Sequence, residues 1–95
     1  MPLFQVERYL AGSGTAALQE IVARATKASE EMTAEGVPVR YVRCTLAPED
    51  EMCFCLFDGP SIGAIEETNR RASLSYERIT AVVDIEARHP TGGKS

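Results

Sequence analysis

Four residues, Ala47-Pro48-Glu49-Asp50, separate two runs of strand-forming residues, Val39 to Leu46 and Glu51 to Phe57. A connection that short joins antiparallel neighbours in a hairpin. Whatever precedes and follows must therefore pack around a central β-hairpin. Upstream, Leu18, Ile21, Val22, Ala25, Ala28 and Met32 recur at intervals of three and four. That spacing predicts an amphipathic helix from Ala16 to about Ala34, with Glu20, Arg24, Lys27, Glu30 and Glu31 on its other faces. Thr15 can cap its start, and Gly36 and Pro38 can stop it.

Leu3 to Leu10 reads as a first strand, and Ala11-Gly12-Ser13-Gly14 as a loop. After Asp58-Gly59-Pro60, Ser61 can cap a second helix that carries Ile62, Ile65 and Asn69 and ends at Ala72. Ser73 to Glu77 connect it to a fourth strand, Arg78 to Ala87. The order is βαββαβ. It predicts an α+β, ferredoxin-like sandwich: a four-stranded antiparallel sheet in the order 4-1-3-2, with both helices on one face. Residues 1–87 form a single domain, and residues 88–95, with Pro90, Gly92 and Gly93, a loose tail.

The period of two along a strand assigns the faces. Phe4, Val6, Val42, Cys44, Leu46, Met52, Phe54, Leu56, Ile79, Ala81, Val83 and Ile85 are expected beneath the helices. Gln5, Glu7, Tyr9, Tyr41, Arg43, Thr45, Cys53, Cys55, Phe57, Thr80, Val82, Asp84 and Glu86 are expected on the open face. An open face of tyrosines, thiols, Phe57 and Val82 calls for a cover. A second copy of the chain is the economical one, so a homodimer is expected, with a mixed-polarity cavity between the two sheets.

The net charge of −4 argues against a nucleic-acid module. Arg70-Arg71 reads as a complement to a helix C-terminus. No run approaches the roughly 20 apolar residues of a membrane span, and the N-terminus lacks the pattern of a signal peptide. Three cysteines, an odd number, suit free thiols in a reducing, cytoplasmic compartment.

Several segments together carry a resemblance: Val6-Glu7-Arg8-Tyr9-Leu10, Val39-Arg40-Tyr41-Val42-Arg43, Pro48-Glu49-Asp50-Glu51, Cys53-Phe54-Cys55-Leu56-Phe57 and Arg78-Ile79. From about Leu3 to Glu86 the chain resembles a family of small bacterial domains of unknown function, whose members are often labelled nickel-binding protein. The resemblance implies a ferredoxin-like fold and a dimer. Nickel sites usually use imidazole. This chain has one histidine, His89, so nickel binding is not carried over.

The candidate residues fall into three groups. Cys53 and Cys55, spaced Cys-x-Cys on a strand, present two thiols to one side, suited to a soft metal. Glu49 and Asp50, beside Glu51, place carboxylates at the hairpin turn and could meet a hard cation. Glu7, Arg43 and Asp84 form a charge network on the open face, with Tyr41 lining the same cavity. The expected function is a dimeric binding protein holding a metal ion or small ligand on that face. The alternatives are a cofactor-free enzyme of isomerase or monooxygenase type, by analogy of fold, and a structural or regulatory dimer. The sequence names no cofactor.

Overall fold

The computed structural model describes residues 1–10 and 15–85. The expected loop 11–14, Glu86, His89 and the tail 88–95 lie outside the described residues. The elements run β1 (Leu3–Tyr9), α1 (Thr15–Ala34), β2 (Arg40–Ala47), β3 (Met52–Asp58), α2 (Ile62–Arg71) and β4 (Arg78–Val82). All paired strands are antiparallel, in the order β2-β3-β1-β4. This is the expected α+β, βαββαβ topology.

Each element follows from its residues. In β1 the side chains alternate, and Phe4, Val6 and Arg8 are buried. Helix α1 buries Ile21, Ala25, Ala28, Ser29 and Met32, which recur at helical spacing. It ends where Gly36 adopts φ +98°, while Val37 N–H reaches back to the Met32 carbonyl at 2.9 Å. Only glycine takes that backbone conformation without a Cβ penalty. Thr33 Oγ1 then both accepts from Val39 N–H and donates to the Val39 carbonyl. These two bonds align the chain for entry into β2. Ser61 caps α2, its hydroxyl oxygen accepting from Ala64 N–H at 3.2 Å.

The core lies between the sheet and both helices. It joins Phe4 and Val6 of β1, Cys53, Cys55 and Phe57 of β3, Ile21, Ala25 and Met32 of α1, and Ala64 and Ile65 of α2.

The structure corrects the face assignment in two strands. In β3 the phase is reversed. Cys53, Cys55 and Phe57 stand opposite Arg8, Val6 and Phe4, beneath the helices, so Met52, Phe54 and Leu56 belong to the open face. Every side chain from Met52 to Phe57 is apolar or a thiol, which leaves no alternation to read. In β2 a bulge between Tyr41 and Arg43 inserts one extra residue. Tyr41 and Cys44 therefore both point to the helix side, opposite Phe57 and Cys55. The thiols and Phe57 are covered by the chain's own helices.

Strand β4 is also shorter than expected. It stops at Val82, opposite Leu3, the first residue of β1. Beyond Leu3 the neighbouring chain offers Pro2, which has no N–H to donate. Val83 and Ile85 are accordingly 83% and 85% exposed, where a strand to Ala87 would have turned them inward.

Candidate metal centre

The bulge in β2 and the phase of β3 bring three thiols together. Cys44 of β2 sits opposite Cys55 of β3, and Cys53 is two residues along the same face. The sulfur separations are 2.7 Å for Cys44–Cys53, 3.5 Å for Cys44–Cys55 and 3.8 Å for Cys53–Cys55. All three cysteines are free. Cys53 and Cys55 are fully buried and Cys44 is half-buried. A cluster of sulfur atoms from adjacent strands is a donor set for a thiophilic metal ion, whose other ligands in a dry core would have to be sulfur too.

Two polar side chains complete the surroundings. The Tyr41 hydroxyl lies 3.5 Å from Cys55 Sγ. Arg8 is 3% exposed and reaches the helix side of the sheet between Val6 and the end of α2. It donates from Nη2 to Asn69 Oδ1 at 2.8 Å and from Nη1 to the Ser75 carbonyl at 3.0 Å. Asn69 is held in turn by its Nδ2 donating to the Ile65 carbonyl. These partners of Arg8 are neutral oxygens, and its Nε has none. A buried guanidinium keeps its charge, so it favours negative charge nearby.

Cys55 is held below the ordinary thiol range, first by its contact with Cys44 and next by its contact with Cys53. Burial opposes this, while Arg8 and the Tyr41 hydroxyl add to it. Cys53 moves the other way: its contacts with Cys44 and Cys55, and then burial, keep it protonated. Tyr41 is likewise pushed up, by burial first and by Cys55 next. Cys55 is the most readily ionised of the three thiols, with sulfur and phenol neighbours and the buried Arg8 on the same side of the sheet.

The other candidates are dispersed. Arg43 and Asp84 do meet, at 3.0 Å on the open face, and line a cavity of about 480 Å³ with Gln5, Thr45, Phe54, Leu56, Val82 and Val83. Glu7 pairs instead with Arg78 at 2.7 Å, so the expected three-residue network is two separate pairs. Tyr41 belongs to the opposite side of the sheet. Glu49 and Asp50 lie in a single 3-10 turn, Pro48–Asp50, at the tip of the hairpin, and are exposed. Cys44 and Arg8 were not among the sequence candidates for the site. The third cysteine was a signal for the first, and a charge in phase with Phe4 and Val6 was a signal for the second.

Among the described residues, no helix is long and apolar enough to cross a membrane. No curated protein matches the chain. A solved structure, SCO4226 from Streptomyces coelicolor A3(2), superposes with a TM-score of 0.73 at 19% identity, covering 90% of this chain and 99% of that one. At that identity it corroborates the fold. The family model of the SCO4226-like nickel responsive proteins matches residues 4–82, which include every described strand and helix almost in full. The chain therefore belongs to the SCO4226-like nickel responsive protein family.

Proposed function

We propose that this protein binds a metal ion through Cys44, Cys53 and Cys55. The carrying observation is the mutual approach of all three sulfurs to within 4.8 Å inside the core. Membership of a family described as metal-responsive supports the same reading. So does the buried Arg8, opposite Cys53 across the β1–β3 ladder, whose charge would balance bound thiolate.

The test is a titration of the reduced protein with cadmium(II), followed through the ultraviolet sulfur-to-metal charge-transfer band. One equivalent should saturate the band in the natural sequence. A folded variant with all three cysteines changed to serine should give none. Absence of the band in the natural sequence, or its persistence in the variant, contradicts the proposal.

A second copy of the chain on the open face is a separate reading. It is favoured by Phe54, Leu56 and Val82 lying side by side there, next to an exposed Val83. Sedimentation of the natural protein against Val82→Glu tests it: a dimer that becomes a monomer supports it, and a natural monomer rules it out.

A further inference from the structure

The metal in the family's description does not match this donor set. Nickel(II) favours imidazole nitrogen or a square-planar arrangement of four donors. The described residues contain no histidine, since His89 lies outside them. The metal-holding cluster found among the described residues is the three cysteines, with no carboxylate in it. The next polar atom is the Tyr41 hydroxyl, a neutral oxygen. Zinc does not fit better. It takes four ligands, and a three-ligand zinc site keeps a water in the fourth position. Cys53 and Cys55 are 0% exposed and packed among Val6, Phe57 and Ile65, which leaves no wet fourth position at their sulfurs.

From the sulfur-only, three-donor, buried geometry we infer that the site takes copper(I), and that Arg8 is the fixed counter-charge of the loaded centre. This rests on the metal-binding reading above. Soft thiolate donors select copper(I), which accepts fewer ligands than zinc or nickel and needs no water. Charge favours the same ion. Copper(I) with two thiolates carries one negative charge, and the Arg8 guanidinium cancels it. The third thiol then joins as a neutral donor. With nickel(II) or zinc(II), the same two thiolates would give a neutral centre and leave the charge on Arg8 unbalanced. An uncompensated charge in a dry core is costly. Arg8 does not contact the metal in this account. It is a positioning residue that acts on the charge of the sulfurs, fixed by Asn69 and the Ser75 carbonyl.

Access is compatible with a carried ion. Tyr41, which touches Cys55, also lines a groove of about 450 Å³ between α1 and β2, together with Thr26, Ser29, Glu30 and Thr33. Cys44, the half-buried thiol, lies on that edge strand.

The experiment is native mass spectrometry of the reduced protein under argon. Copper(I) is supplied from a copper(I) chelator, and nickel(II) and zinc(II) separately, with the cadmium titration as a reference. The expected result is one copper(I) per chain, kept against the chelator, with nickel and zinc lost on desalting. Arg8→Met should weaken copper(I) binding by about tenfold or more, since losing an outer partner of a metal site typically costs ~10–100-fold in affinity. Arg8→Lys, which keeps the charge, should restore most of the affinity. A cysteine-dependent nickel adduct that survives where copper(I) does not would overturn the copper inference and leave the thiol site standing. So would a cadmium band with no copper uptake. Equal loss in Arg8→Lys and Arg8→Met, both folded, would overturn the counter-charge role. No cadmium band at all would instead overturn the metal-binding reading beneath it.

Discussion

Cys44 and Cys55 face each other across the β2–β3 ladder, their sulfurs 3.5 Å apart. The pairing depends on the bulge between Tyr41 and Arg43, which turns Tyr41 and Cys44 to the same side. Without the extra residue, Tyr41 would not share a face with Cys44, and Cys55 would lose its phenol neighbour. A local irregularity in an edge strand thus assembles the environment of the thiols.

Cys44 is expected to be an equal member of the site. Removing an outer partner of a metal ligand typically costs ~10–100-fold in affinity. Losing a ligand should cost at least as much, so Cys44→Ser should weaken metal binding by about 100-fold or more. The loss should be comparable to that of Cys55→Ser in the cadmium titration. A Cys44→Ser protein that binds as well as the natural one would reduce the site to the Cys53/Cys55 pair.

Asn69 is expected to matter for stability out of proportion to its size. Asn69→Ala removes the acceptor of Arg8 Nη2 and the donor to the Ile65 carbonyl, both buried. Leaving buried polar groups unpaired costs about 1–3 kcal/mol each. Urea unfolding should show a loss of about 2–3 kcal/mol. A loss below ~0.5 kcal/mol would mean that Arg8 is not held as described.

The phase of β3 can be read from two phenylalanines. Phe57→Ala, in the core, should cost about 3–5 kcal/mol. Phe54→Ala, half-buried on the open face, should cost less than about half of that. The reverse ranking would restore the alternation that the sequence suggested.

Acid should weaken the clamp between the two helices. Glu67 is lowered to about 2 from an ordinary 4.5, first by its hydrogen bond from Arg70 and then by that from Arg71. Arg71 also holds Glu35 of the neighbouring chain segment at 2.7 Å, and Glu35 is lowered by that bond as well. A carboxylate lowered in the folded state contributes stability above its unfolded pKa and loses it as pH falls through the folded one. The natural protein should therefore lose stability between about pH 4.5 and pH 2, and Arg71→Ala should lose less over that window. These groups are exposed, so added salt should shrink the difference. Parallel pH profiles for the two proteins would contradict the clamp.

The architecture was legible because its signals are strong and local. The spacing from Leu18 to Met32, the short Ala47–Asp50 connection and the Ser61 cap each point to one structure. The site was less legible. The run Met52–Phe57 is buried from both sides in sequence terms and carries no phase, so Cys53 and Cys55 were assigned to the wrong face. The bulge that moves Tyr41 has no residue signature of its own. Arg8 and Cys44 become site residues through pairing across strands, which is set by register. The end of β4 was set by its partner: Leu3 has no further strand beside it, so the apolar alternation of Val83 and Ile85 could not be used.

The most direct test of the central claim is X-ray absorption at the metal edge of the reduced, copper(I)-loaded protein. The account predicts a first shell of sulfur alone, with about three scatterers and no nitrogen or oxygen, since thiolates select this ion. A first shell dominated by nitrogen or oxygen would place the metal elsewhere and contradict the thiol centre.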